Sequence, residues 1–194
     1  MSFYIGRVKV SAEFGFFALT ALFLIIDRGG IGLEVLGAVI LHEVGHVLLL
    51  YISGGQVREL KLRFCGAALE PEGMLSYRQE IMLVSGGIVG NGLGTLLSMV
   101  FGKRGTPFFW GNLVLMCFHM LPVYPLDGGR LLRLMVGGGE REGAGELAGL
   151  AVGIAVLIPM LTLGVRMMEK NNPTLFITGL YLGVSMILEK NKKI

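Results

Sequence analysis

The sequence is poor in charged residues and contains little cysteine. Only 16% of its 194 residues are Asp, Glu, Lys or Arg, whereas an average soluble domain has about 25%. Two cysteines cannot form the disulfide framework of a small secreted domain, and they do not fix a redox compartment. The net charge of +3 needs no nucleic-acid partner to explain it. We find no internal repeat and no low-complexity segment.

The chain is instead rich in long apolar runs. Hydrophobic residues make up 53% of the chain, the mean hydropathy is +0.70, and 31 glycines allow close helix packing. These features predict an all-α polytopic membrane protein with about six transmembrane helices. The fourth is interrupted by Pro122 and Pro125 and continues as a short helix from Gly128. The six runs cover roughly residues 10–26, 32–52, 80–101, 108–121, 144–165 and 173–188.

The distribution of Lys and Arg predicts the orientation in the membrane. If the N-terminus is cytosolic, twelve of the 17 Lys and Arg residues fall in cytosolic segments. Basic residues collect on the cytosolic side of membrane proteins. We therefore expect both termini in the cytosol.

One stretch between the second and third runs has the periodicity of a strand. Leu60, Leu62 and Phe64 alternate with Lys61 and Arg63, and Gly66 allows a turn into a second short strand. The pattern predicts a β-hairpin after the second span. It either lies on the cytosolic surface or offers an edge strand to an extended peptide.

The second apolar run contains the motif HEVGH. Residues four apart on a helix point in similar directions, so His42 and His46 can bind one metal ion. H-E-x-x-H is the zincin signature, in which the glutamate, here Glu43, is the base for a water molecule on zinc. The alternative is a pair of buried histidines bonded to backbone or hydroxyl groups. That alternative must also explain a carboxylate at membrane depth.

Such a site needs a third protein ligand, and aspartate is scarce in this chain. Asp27 lies at the edge of the first run, whereas Asp127 follows two helix-breaking prolines within the membrane region. We expect Asp127 to be the third ligand; the alternative is a turn aspartate that caps the next helix. Two neutral histidines, Zn²⁺ and two ionised carboxylates would sum to zero charge.

HEVGH in an early span followed by LDGGR in a later one resembles the site-2 protease family of intramembrane zinc metalloproteases. GGIVGN, which ends at Asn91, resembles the family's glycine-rich stretch, and the stretch around residues 56–69 resembles its membrane-associated β-hairpin. The resemblance runs from about residue 33 to 134, and the layout resembles the branch of stage IV sporulation protein FB. It implies one zinc ion held by His42, His46 and Asp127, with Glu43 as the general base. We expect a single domain over residues 1–194, with extra helices at about 144–189. Branches of the family carry PDZ or CBS domains, but we expect neither here because the predicted loops are short.

Two further residues bear on this resemblance. Asn91 is a candidate for positioning substrate or stabilising an oxyanion; the alternative is an amide that hydrogen-bonds between helices. His119 stands where family members commonly have an asparagine that is thought to help hold the substrate. We expect His119 to lie beside the metal site and not to bind the metal.

The expected function is hydrolysis of a peptide bond in or near a transmembrane segment of a protein substrate. A membrane-tethered transcription factor precursor or an anti-sigma factor would fit the family. An inactive scaffold of the same fold and a membrane zinc transporter are the alternatives. We expect a multi-pass protein of the bacterial cell membrane, in contact with lipid, with the active site towards the cytosol. A homo-oligomer or a regulatory membrane partner is compatible with this reading.

Overall fold

The computed structural model describes residues 1–6, 8–27, 29–63, 66–137 and 142–192. The chain divides into two compact units, Met1–Cys117 and Phe118–Ile194. Described residues of the chain form four strands and seven helices: β1 (Ser2–Ile5), β2 (Val8–Ala12), α1 (Phe14–Ile26), α2 (Ile31–Ile52), β3 (Val57–Arg63), β4 (Gly66–Pro71), α3 (Tyr77–Val100), α4 (Pro107–His119), α5 (Asp127–Gly137), α6 (Glu142–Met168) and α7 (Thr174–Lys192).

The predicted hairpin is confirmed, but it is half of a larger sheet. Strands β3 and β4 pair antiparallel, with Leu60 opposite Leu69. Strand β2 pairs parallel with β3, and β1 adds to β2, so the strand order is β1-β2-β3-β4. Phe64, part of the predicted alternation, lies outside the described residues. The expectation of an all-α chain with one hairpin is therefore corrected to a helical chain with a four-stranded sheet.

The prediction that the first span begins near Val10 is wrong. Val10 and Ala12 are buried on one face of β2, whereas Lys9 lies on the other face and pairs with Glu59 of β3 at 3.1 Å. Period-two alternation with a paired charge stabilises a strand here, so helix α1 begins only at Phe14.

Charged side chains form a ladder across this sheet. Glu59 contacts both Lys9 and Lys61, and Lys61 also bonds Glu70. Hydrogen bonds from Lys9 and Ser11 hold the pKa of the Glu59 carboxyl below its usual range. A lowered pKa means that the ionised carboxylate stabilises the fold, and this contribution is lost as the pH falls through the folded-state pKa.

Among the described residues, three helices are long and apolar enough to cross a membrane: Ile31–Ile52, Tyr77–Val100 and Gly143–Met168. The 13 residues of α1 span only about 20 Å, less than the roughly 30 Å of a bilayer core. The apolar part of α7 is also short, at Thr174–Leu188. The chain thus has the helices of a membrane protein, and the count of six spans stays a prediction.

In the first unit, α2 and α3 pack closely because glycines face each other. A methyl group added to Gly45 would overlap the backbone of Gly86, and one on Gly86 would meet the backbone of Gly45 and His46. Small residues at a helix crossing let backbones approach in this way. The approach brings side chains of α2 next to backbone groups of α3.

The second unit has its own apolar core. Val123, Leu126, Leu157 and Leu182 are buried together, with Phe118, Leu121 and other apolar side chains packed around them. The core therefore joins the segment after α4 to helices α6 and α7. It fixes the chain directly before Asp127, the first residue of α5.

Candidate metal centre

Helix α2 carries the HEVGH motif with both histidines buried. His42 is 4% exposed and His46 is 9% exposed, while Glu43 between them is half-buried. The helix is apolar on both sides of the motif and is long enough to cross a membrane. The two imidazole rings therefore lie in an environment that water reaches poorly.

Neighbouring groups on α3 define the proton position on each ring. Nδ1 of His42 lies 2.6 Å from Oδ1 of Asn91, and Nδ1 of His46 lies 2.7 Å from the carbonyl oxygen of Leu83. A carbonyl oxygen only accepts, so each Nδ1–H donates. The Gly87 N–H also lies 3.2 Å from Nδ1 of His46, but the shorter contact with Leu83 makes that nitrogen the donor. In the neutral rings, each Nε2 then carries the lone pair.

The two Nε2 atoms face each other at 3.2 Å. Two imidazole nitrogens bound to one tetrahedral zinc ion, each at about 2.0–2.1 Å, lie roughly 3.3 Å apart. Two acceptor nitrogens at this separation repel unless a cation lies between them. Ligating histidines also commonly donate their other N–H to a carbonyl or carboxylate. The geometry of the pair therefore fits a zinc ion.

Gly87 on α3 leaves the space that such an ion needs. A methyl group added at this position would lie 2.5 Å from Nε2 of both His42 and His46. Any side chain larger than hydrogen would therefore compete with an ion for the same volume. Glycine is required at this position because the rings of His42 and His46 approach its backbone closely, and not because of an unusual backbone angle.

Asn91 connects the pair to the rest of the first unit. The residue is fully buried, and its Nδ2 donates to the carbonyl of Ala38 at 3.0 Å and to Oδ1 of Asn112 at 2.9 Å. With His42 as a third partner, this is the interhelical amide that the sequence left open as an alternative. Its role towards substrate stays a prediction.

Asn112 was not identified from the sequence. It is the single polar side chain within the apolar run of α4, FFWGNLVLMCF, and it is fully buried. An isolated amide in such an apolar run indicates a buried hydrogen-bond partner, because polar groups at membrane depth need partners. What the sequence does not contain is the identity of the partner, Asn91, which lies 21 residues away.

In the second unit, Asp127, the predicted third ligand, lies beside His119. Asp127 is 5% exposed, and its Oδ2 lies 3.0 Å from Nδ1 of His119. An ionised carboxylate only accepts, so Nδ1–H of His119 donates. Methyl groups on Gly128 and Gly129 would overlap the backbone between Met120 and Tyr124, so only glycine lets the chain fold back there.

Ligand atoms for a metal ion are thus available in both units. Among the described residues, His42, His119 and Asp127 each offer one such atom. Asp127 also stands at the N-terminus of α5, where a carboxylate interacts favourably with the helix dipole. The aspartate therefore has a structural role that is compatible with metal binding.

No family model matches the chain, and no curated protein matches it. Among solved structures, the chain is similar to the site-2 protease from Methanocaldococcus jannaschii, with a TM-score of 0.68 and 18% sequence identity. The match covers 97% of this chain and 95% of that one. At this identity the likeness concerns the fold alone. The chain has the fold of a site-2 protease over nearly its whole length.

Proposed function

We propose that this protein is an intramembrane zinc metalloprotease that hydrolyses a peptide bond in or near a transmembrane segment of its substrate. The observation that carries the proposal is the His42–His46 pair. Its two Nε2 atoms stand 3.2 Å apart on a helix fit to cross a membrane, and Glu43 lies between them in sequence. The site-2 protease fold supports the same conclusion.

In this proposal, His42, His46 and Asp127 hold one zinc ion. When bound, zinc supplies a Lewis acid that polarises the scissile carbonyl and acidifies a water molecule. The Glu43 carboxylate accepts a proton from the attacking water and returns it to the leaving amine. His119 holds the Asp127 carboxylate through its Nδ1–H.

The substrate is proposed to be a membrane-spanning protein whose helix unwinds locally, since a helix shields its peptide bonds. The terminal strand β4 of the sheet provides main-chain groups with which an extended segment of the substrate can pair. A tethered transcription factor precursor or an anti-sigma factor is the substrate class we propose. We further propose a bacterial cell-membrane location, cytosolic termini and the branch of stage IV sporulation protein FB.

An inactive scaffold and a zinc transporter are the two rival functions. A cleavage assay distinguishes the protease from these two rivals. The purified protein is incubated in detergent with tagged single-span proteins that carry two helix-breaking residues within the span. We expect cleavage that stops with 1,10-phenanthroline and returns when zinc is restored. Zinc content, measured in the same samples, is expected to be one ion per chain. Bound zinc without cleavage of any segment would contradict the protease, and zinc flux into liposomes would favour the transporter.

Replacements at the two aspartates and at His119 test the proposed ligand set. Asp127→Ala is expected to remove most of the bound zinc and most of the activity, because one of the three proposed zinc ligands would be lost. His119→Asn is expected to retain zinc, since an amide can still donate to Asp127. Metal analysis of the purified variants measures both results.

Asp27→Ala is the matched control for this comparison. Asp27 accepts from the Gly32 N–H at 2.7 Å and so caps the start of α2. Its loss is expected to cost about 1 kcal/mol of stability and no zinc. Equal, mild losses of zinc at Asp27 and Asp127 would mean that Asp127 is not a ligand. Loss of zinc in His119→Asn as complete as in His42→Ala would make His119 a ligand.

A further inference from the structure

We propose that Asn112 is a positioning residue for the metal centre, which it serves by orienting Asn91 and, through it, the imidazole of His42. The inference rests on the proposed zinc site and adds a residue on α4 to it. Three buried side chains from three helices form one line of hydrogen bonds, Asn112 to Asn91 to His42. All three lie within the first unit.

The direction of each bond in this line is fixed by backbone carbonyls at its far end. Nδ2 of Asn112 donates to the carbonyl of Phe108 at 2.8 Å, and a carbonyl only accepts. The Asn112 amide must therefore present its oxygen to Asn91. Asn91 in turn directs Nδ2 to that oxygen and to the carbonyl of Ala38. Neither amide can rotate by half a turn without placing oxygen against oxygen.

This orientation determines which nitrogen of His42 can bind metal. Because Nδ2 of Asn91 is occupied by two acceptors, its Oδ1 faces Nδ1 of His42 at 2.6 Å. That oxygen requires a proton on Nδ1, so the lone pair is on Nε2, the atom that faces His46. If Asn91 were reversed, its N–H would require the lone pair on Nδ1, and Nε2 would carry hydrogen and bind no metal.

Burial explains why two amides are needed. Asn91 and Asn112 are both fully buried, so no bulk water replaces a lost partner. Removing the Asn112 amide leaves one N–H of Asn91 without an acceptor in an apolar region, and reversal of Asn91 becomes less costly. The expected consequence is a mixed population of His42 tautomers and weaker zinc binding. Partners of ligating histidines commonly change metal affinity by about 10–100-fold.

Zinc affinity of the full-length chain in detergent, measured by competition with a chromophoric chelator, tests the proposal. Asn91→Leu is expected to weaken zinc binding by about 10–100-fold, and Asn112→Leu by about tenfold. Asn112→Ala, which adds no bulk, is expected to behave like Asn112→Leu. Asn112→Asp keeps the oxygen that accepts from Asn91. When protonated, its carboxyl group also donates to the Phe108 carbonyl, so this variant should keep most of the wild-type zinc affinity.

A double variant and a control separate positioning from general stability. Asn112→Leu should add no further loss to Asn91→Leu, because it acts only through that residue. Ser98→Ala removes a buried hydroxyl whose one bond within the described part of the chain is to the Gly94 carbonyl of the same helix, and it should leave zinc affinity unchanged. A lower melting temperature for Asn112→Leu with wild-type zinc affinity would overturn the proposal and make Asn112 merely structural.

Imidazole ¹⁵N chemical shifts in the metal-free protein give a readout that needs neither zinc nor substrate. The chain has only three histidines, so His42 can be assigned by its absence from a His42→Ala sample. We expect a proton on Nδ1 in wild type and a mixture of tautomers in Asn112→Leu. An unchanged tautomer would refute the inference. Failure of wild type to cleave any substrate would refute the proposed function alone.

Discussion

Replacing Glu43 with glutamine is expected to remove nearly all peptide hydrolysis while zinc stays bound. The amide has nearly the same shape as the carboxylate but cannot take a proton from water at neutral pH. General bases of this kind contribute about 10²–10⁴-fold to rate. We therefore expect a fall in the cleavage rate within that range. Single-turnover cleavage of a tagged membrane segment, together with metal analysis, measures the two quantities on one sample.

Glu34→Gln on the same helix is the matched control. The Glu34 carboxylate accepts a hydrogen bond from the Phe108 N–H at 2.9 Å and so caps the start of α4. A glutamine oxygen can still accept this bond, so cleavage should change little. If Glu43→Gln cleaved at nearly the wild-type rate, Glu43 would not be the base, and the zincin interpretation of the motif would fail. If it lost zinc as well, Glu43 would be serving the metal and not the water.

Replacing Gly87 with alanine is expected to remove zinc and activity together, although no ligand is changed. The added methyl carbon would lie 2.5 Å from Nε2 of both His42 and His46, within the volume where an ion would bind. Either the rings rotate away, which separates the two nitrogens, or α3 moves from α2, which breaks the hydrogen bonds to Asn91 and Leu83 that orient the rings. Metal analysis and zinc competition measure the loss, and size-exclusion chromatography checks that the variant folds.

Gly92→Ala is the control on the same helix. Among the described residues, a methyl group there meets only the sulfur of Met116, at 3.3 Å, and a thioether chain can adjust. Zinc content should then match wild type. Gly87→Ala with a full complement of zinc would show that the metal does not lie between the two Nε2 atoms. Loss of zinc in both variants would indicate that α3 tolerates no added side chain, so only the contrast between them supports the site.

The sequence predicted the parts of this protein that depend on local periodicity. Four-residue spacing places His42 and His46 on one face of a helix, and alternation over Leu60 and Leu62 predicts β3. Both patterns lie within one element, so neighbouring residues suffice to read them. The same logic fails at Val10, because the apolar stretch before α1 predicts a helix where the chain forms strand β2. Its strand partner, β3, lies 50 residues further along the chain, with Val10 opposite Leu60.

Tertiary structure alone decided how the histidines are oriented. The sequence marks Asn91 as a buried amide in a glycine-rich helix, but not that its oxygen faces Nδ1 of His42. It does not reveal the Leu83 carbonyl as the partner of His46, because every residue has a carbonyl and only packing selects one. The order of residues therefore determined which ionisable side chains lie together on the apolar helix α2. The close approach of α2 and α3, which glycine permits, determined which nitrogen of each imidazole ring carries the lone pair.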